Sequence, residues 1–243
     1  MTVGLLYDST RCISCHACSG ACKEQNGLPG PVEDKTTAYT WTIVQDHDGT
    51  PMRKLCMHCL VPTCASVCPV GALKKTAEGP VTYDADKCMG CRYCMMACPF
   101  DVPKYQWDRA IPLVGKCIMC YSRVKEGKAT ACATACPVGA TVFGERKDLI
   151  MDARERMRLE PAKYVDAIYG LREAGGTGVM MLAGTSFATL GLNTSLPDEP
   201  PPMRTWQVLS KLPDFVAVWG VSLYAIHWIT SRRDEVAEFE GRK

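Results

Sequence analysis

Sixteen cysteines fall into four quartets, and no cysteine lies outside them. The first quartet is Cys12, Cys15, Cys18 and Cys22, a C-x2-C-x2-C-x3-C run, and the third, Cys88, Cys91, Cys94 and Cys98, has the same spacing. The second stretches one interval, as Cys56, Cys59, Cys64 and Cys68. The fourth stretches it further, as Cys117, Cys120, Cys132 and Cys136, and keeps the outer C-x2-C and C-x3-C. Thiols two or three residues apart on a turn converge on one point, which suits a metal centre better than pairing each with a distant partner. No thiol remains for a disulfide or a catalytic nucleophile. Met1 to Leu6 contains no basic residue and Cys12 follows soon after, so no secretory signal is expected and the thiols are expected to meet a reducing cytoplasm first.

Pro69, Pro99 and Pro137 follow the last cysteine of three quartets, whereas Cys22 is followed by Lys23. The third quartet with Pro99 reproduces the bacterial four-cysteine ferredoxin signature. Soft thiolates suit iron, and three sulfurs one turn apart can grip one face of a cubane cluster. Zinc also takes four cysteines, but normally as two C-x2-C pairs with a longer spacer. Four [4Fe-4S] clusters carrying about −2 each would turn the chain's formal +2 into about −6. Arg11, Lys23, Lys87, Arg92 and Lys116 each adjoin a ligand position and have an electrostatic reason to be there, although each taken alone reads as a solvated surface charge. His16 and His58 lie inside motifs and could donate to a cluster or meet a partner; an exposed histidine is the default expectation. Residues between ligands are small or apolar, including Ile13, Ala17, Met89, Gly90, Met95, Met96, Ala97, Ile118 and Met119, which keeps water from a redox centre. The balance of 28 basic against 26 acidic residues leaves no basic face of the kind nucleic acid requires.

Between the quartets the chain alternates short strand patterns and turns. Val3–Tyr7, Tyr39–Val44, Met52–Leu55, Val70–Leu73 and Pro80–Tyr83 read as strands, with His47-Asp48-Gly49-Thr50 as a hairpin turn. Pro137–Phe143 echoes Pro69–Leu73, an internal repeat of a small unit built around metal centres. Glu145–Leu159 reads as an amphipathic surface helix. Gly175–Gly178 lacks a nucleotide-loop pattern and reads as a turn into a strand at Val179–Ala183. Pro197–Pro202 reads as a stiff extended linker. Beyond it, twelve of the sixteen positions from Phe215 to Thr230 are apolar or aromatic. That is short of the roughly twenty residues a span needs, and Lys211 and Asp214 limit its extension. A terminal helix with no further domain to bury it still points to a membrane. Arg204 and Lys211 on one side against Arg232, Arg233, Arg242 and Lys243 on the other put the tail in the cytoplasm.

Leu6-Tyr7-Asp8-Ser9-Thr10, Cys56-Met57-His58-Cys59, Cys91-Arg92-Tyr93-Cys94-Met95 and Ala97–Tyr105 resemble the four-cluster iron-sulfur subunits of membrane-bound oxidoreductases. The likeness is greatest to the beta subunit of respiratory formate dehydrogenase and the small electron-transfer subunit of type 2 nickel-iron hydrogenase. It implies an α+β fold of tandem bacterial-ferredoxin-like modules around four cubane clusters, followed by a C-terminal membrane helix. It also implies three regions: 1–144 with the clusters (an outer pair from 1–30 and 115–144, an inner pair from 50–105), 145–203 with helix, strand and linker, and 204–243 as anchor and tail. In the family the quartets exchange their fourth ligands. The implied sets are Cys12, Cys15, Cys18 with Cys136; Cys117, Cys120, Cys132 with Cys22; Cys56, Cys59, Cys64 with Cys98; and Cys88, Cys91, Cys94 with Cys68.

The implied function is electron transfer, without bond-making chemistry, between a catalytic subunit and an integral quinone-reactive subunit of cytochrome b type, as in anaerobic respiration. The catalytic partner is a molybdenum or tungsten enzyme like formate dehydrogenase, or a nickel-iron hydrogenase; the lack of a twin-arginine signal favours the former. The cluster domain is expected on the periplasmic face, exported with a signal-bearing partner, with His227, Trp219 and Trp228 meeting the membrane or a partner. Two other readings stay open: a free-standing polyferredoxin, and a subunit of a dimethyl sulfoxide or polysulfide reductase complex. A zinc-ribbon module is a third.

Overall fold

The computed structural model describes residues 2–110 and 112–241. The chain is α+β, with short elements separated by cysteine-bearing loops. Strand β1 (Val3–Asp8) leads into the first quartet and helix α1 (Ala17–Gln25). Strands β2 (Ile43–His47) and β3 (Thr50–Lys54) form an antiparallel hairpin. Its two-residue turn puts Asp48 at φ 51° and Gly49 at φ 83°, the doubly left-handed backbone that such tight hairpins need. The strand expected from Tyr39 begins only at Ile43. Before it, the Thr37 hydroxyl oxygen accepts the N–H groups of Tyr39 and Thr40, and Trp41 Nε1 donates to the Ala38 carbonyl at 2.8 Å, which fixes a turn instead.

Next come α2 (Thr63–Ser66), β4 (Leu73–Lys75), β5 (Val81–Tyr83), α3 (Tyr93–Ala97), β6 (Lys104–Tyr105) and β7 (Val114–Gly115). β4 pairs with β5 and β6 with β7, both antiparallel, and α2 packs on α3. The third part holds α4 (Tyr121–Lys125), α5 (Ala131–Thr134), β8 (Thr141–Glu145), α6 (Arg146–Leu159) and β9 (Val179–Leu182). Here α5 packs on α1, at the far end of the sequence from it.

The central sheet has the order β8-β1-β9, antiparallel on one side of β1 and parallel on the other. Side chains of a strand alternate between faces. Leu5, Tyr7, Val179 and Met181 therefore enter one core with Met52, Met57, Met119 and Tyr169, while Leu6, Met180 and Leu182 enter another beneath Leu149 and Ala153 of α6. Both faces of β1 are covered, which is why Gly-Leu-Leu-Tyr is nearly uninterrupted apolar sequence. Each such side chain contributes about 1.5–3 kcal/mol by burial. Residues 2–202 form one compact unit.

The second unit begins at Met203 and is helical. Helix α7 spans Pro201–Leu209 and α8 spans Leu212–Phe239. The expected extended linker persists only to Pro200: Pro201 and Pro202 start a helix, a place where proline's fixed φ and missing N–H cost nothing. α8 is also longer than Phe215–Thr230. Pro213 and Asp214 sit in its first turn, where proline is tolerated and a carboxylate faces the positive end of the helix dipole, so neither stops it. An 18-residue stretch within 201–239 has mean hydropathy 1.3, apolar and long enough to cross a membrane, and none of that stretch is buried in the chain itself. Trp219, Trp228 and His227 are exposed on α8. Of the four basic tail residues, Arg242 and Lys243 lie outside the described residues.

Candidate metal centres

The cysteine loops share an unusual backbone. The residue just before the second cysteine of every quartet is left-handed: Ser14 at φ 54°, His58 at 48°, Gly90 at 72° and Met119 at 55°. Three of the four carry side chains, for which this conformation costs about 1–2 kcal/mol. It curls successive N–H groups toward one point, forming a concavity that suits an anion. Two loops repeat it one step past that cysteine, at His16 and Arg92. The fourth cysteine ends a short helix in three quartets. Cys98 caps α3 with extended backbone, and Cys68 and Cys136 follow α2 and α5. Without a proline after Cys22, α1 continues to Gln25, and Lys23 turns inward to donate to the carbonyls of Pro29 at 2.7 Å and Tyr39 at 2.9 Å.

Sulfurs distant in sequence meet in the folded chain. One narrow cavity is lined by Cys22, Cys117, Cys120 and Cys132, with Leu5, Asn26, Thr42 and Arg53 around it. A second is lined by Cys68, Cys88, Cys91 and Cys94 with Leu73, Tyr83 and Tyr105. Cys56, Cys64 and Cys98 are the thiols that act on Cys59. Cys12 and Cys18 both act on Tyr7, whereas Cys15 is exposed. Among the described residues no three cysteine, histidine or carboxylate groups close on a single metal ion.

Burial favours the protonated form at several of these thiols. Desolvation pushes Cys22 and Cys64 up to about 12 and Cys98 to about 11, and it raises Cys117 well above the usual thiol range. Cys132 moves the other way. Desolvation would raise it, but the Arg53 charge and hydrogen bonds from Thr130 and Arg53 together outweigh that effect. Donors surround the sulfurs: Met119 N–H at 3.3 Å from Cys117 Sγ, Asn26 Nδ2 at 3.7 Å from Cys22 Sγ, Tyr105 OH at 3.6 Å from Cys94 Sγ.

The cations complete the fit. Arg53 and Lys116 are 1% and 2% exposed, Lys23 is buried, and Lys75 is largely buried. Lys116 Nζ donates to the carbonyls of Val81 and Cys117, and Lys75 Nζ to those of Cys59 at 2.8 Å and His58 at 3.1 Å. Among the described residues none of the four forms an ion pair with a carboxylate; the fully buried Asp8 is engaged by Arg156, Arg11 and the Tyr164 hydroxyl. A buried cation without a counter-charge costs several kcal/mol, so the cluster loops call for anionic occupants, as thiolate-held iron-sulfur clusters are. His58 agrees. It is fully buried, its Nδ1 accepts the Val81 N–H at 2.9 Å, and its Nε2 meets no acceptor in the protein.

Three expectations from sequence change here. His58, Lys23 and Lys116 are interior rather than surface groups; the fold brings Val81 of β5 to His58 and Lys116, and Pro29 and Tyr39 to Lys23. His16, Lys87 and Arg92 are exposed, and Arg92 lies over the Trp107 ring at 4.5 Å. Arg53 is the residue that sequence reading missed: between Met52 and Lys54 on a strand, it carries no local sign of burial.

Sulfur-lined cavities, N–H concavities and unpaired interior cations define an iron-sulfur protein. Residues 47–146 match the family model described as a 4Fe-4S dicluster domain. A protein of Nitratidesulfovibrio vulgaris is 41% identical over 255 residues, covering 98% of this chain and 69% of its own length. The hydrogenase-2 operon protein HybA of Escherichia coli O157:H7 is 35% identical over 238 residues, covering 79% of this chain and 73% of its own. The formate dehydrogenase-O iron-sulfur subunit of Escherichia coli K12 is 32% identical over 263 residues, covering 96% and 86%. The chain belongs to this family of iron-sulfur electron-transfer subunits, which includes HybA and the formate dehydrogenase iron-sulfur subunits.

Proposed function

We propose that the chain holds four [4Fe-4S] clusters in a row and conducts electrons between a catalytic oxidoreductase subunit and a quinone-reactive membrane subunit. The ligand sets are Cys12, Cys15, Cys18, Cys136; Cys22, Cys117, Cys120, Cys132; Cys56, Cys59, Cys64, Cys98; and Cys68, Cys88, Cys91, Cys94. Residues 1–144 would form the tandem ferredoxin-like modules, the outer pair from 1–30 and 115–144 and the inner from 50–105. Residues 145–203 complete the sheet and lead to the anchor, 204–243. Bound clusters supply one-electron acceptance and release. The protein spaces them, keeps them dry and sets their charge environment.

The observation that carries this reading is the neighbour relation among sulfurs. Cys18 feels Cys132 of the second set, Cys117 feels Cys56 of the third, and Cys64 feels Cys94 of the fourth. These proximities support an order in which the first set neighbours the second, the second the third and the third the fourth. Cys15 and Cys91, one in each terminal set, are exposed, which supports those sets as the two ends where electrons enter and leave. The relatives named as formate dehydrogenase subunits and a hydrogenase operon protein support a catalytic partner for one end. α8 supports a membrane attachment, and Arg232 and Arg233 at its C-terminal part favour a cytoplasmic tail with the cluster unit on the outer face.

Replacing Cys91 by Ser removes a ligand from a terminal set. The expected outcome is loss or conversion of one cluster, seen by electron paramagnetic resonance, with electron transfer to quinone cut at least tenfold. Quinone reduction at the full rate in a C91S complex lacking that signal would refute the wire.

A further inference from the structure

Arg53 is almost wholly removed from solvent, at 1% exposure. Its Nε donates to Thr42 Oγ1 at 2.9 Å and one terminal nitrogen to Thr141 Oγ1 at 3.0 Å, both neutral partners. The acidic groups around it are thiols: Cys132, Cys18 and Cys117 act on it, and it acts in turn on Cys22 and Cys120. It lines the cavity of Cys22, Cys117, Cys120 and Cys132. It therefore faces all four sulfurs of the second set and one, Cys18, of the first. The hydroxyl anchors come from Thr42, just before β2, and from Thr141 at the start of β8, 88 residues away in sequence, so the guanidinium is fixed by the closed fold.

Resting on the four-cluster reading above, we propose that Arg53 is the shared counter-cation of the two outer clusters and holds the potentials of both above those of the same sites without it. The physical reason is charge. Each electron added makes an already anionic site more negative, and a fixed positive group nearby stabilises the reduced form more than the oxidised one. A cation between two such sites also lowers the repulsion between electrons held on both. The delocalised guanidinium keeps its proton under all working conditions, so this contribution stays constant with pH. Arg53 acts through the clusters' ligand shell and is a positioning residue, not a catalytic one.

The test is a redox titration, followed by electron paramagnetic resonance, of the complex purified in mild detergent with wild-type chain, R53K or R53M. Iron is counted in the same samples. The expected result is a full iron content in each, a negative shift of two of the four midpoint potentials in R53M that exceeds any change in the other two, and R53K close to wild type. Should R53M load poorly, R53Q carries the same test, because it keeps a donor near Thr42 and Thr141 without the charge. Unmoved potentials, an equal shift in all four, or R53K behaving as R53M would overturn the role of Arg53. A wild-type chain with clearly fewer than about sixteen irons would instead overturn the four-cluster reading on which the role rests.

Discussion

At the scale of residues, the cluster loops trade backbone comfort for converging donors. Gly90 tests this cleanly. Its φ is 72°, and a Cβ added there would meet nothing closer than the Pro112 carbonyl oxygen at 3.7 Å, so a side chain adds conformational strain without a clash. Gly90→Ala is expected to lower stability by about 1–2 kcal/mol, measured as a fall in denaturation midpoint of the loaded protein. A midpoint equal to wild type would mean the left-handed turn is not maintained. The quartets were legible in sequence because metal-binding loops are local: spacing alone brings together the first three sulfurs of the first and third runs and the C-x2-C pair of the other two. Arg53, His58 and Lys116 were not. Arg53 lies in an ordinary strand, and its burial depends on Thr141 of another strand; His58 depends on the Val81 N–H; Lys116 depends on the Val81 carbonyl. None of these contacts leaves a trace in the residues next to them.

At the scale of elements, β1 organises the cluster unit. It pairs with β8 on one edge and β9 on the other, and it feeds the first cysteine loop directly. Its end is locked by Asp8, which accepts from Thr10, Arg156 and the Tyr164 hydroxyl and so ties the loop to α6. The strand character of Val179–Leu182 was readable from its apolar run. Its parallel pairing with β1, more than 170 residues earlier, was not, because parallel partners carry no turn signal. Gly4 marks how closely they pack. A Cβ there would lie 2.4 Å from the Gly178 carbonyl oxygen, so Gly4→Ala must push the β1 and β9 edges apart. The expected loss is about 1–3 kcal/mol with increased amide exchange in Val179–Leu182. Exchange unchanged there would contradict the parallel pairing.

At the scale of the whole molecule, the interior is built around charge as much as around apolar side chains. The formal charge of the chain is +2, and several of its cations are buried without carboxylates. Burying such cations without a counter-charge is costly, so anionic occupants are expected to stabilise the fold. The composition told of metal centres but could not tell which cysteine loops meet, because that depends on how α1 meets α5 and α2 meets α3. α8 was visible as an apolar stretch; its full length was not, because Lys211 and Asp214 read as limits in sequence, whereas Lys211 is the N-cap position and Asp214 sits in the first turn.

The central claim is the number and kind of centres, and the most direct measurement is iron, acid-labile sulfide and zinc per chain in the complex purified under anaerobic conditions. The account predicts about sixteen irons and about sixteen sulfides with no stoichiometric zinc. About eight irons, or zinc in place of iron, would contradict it.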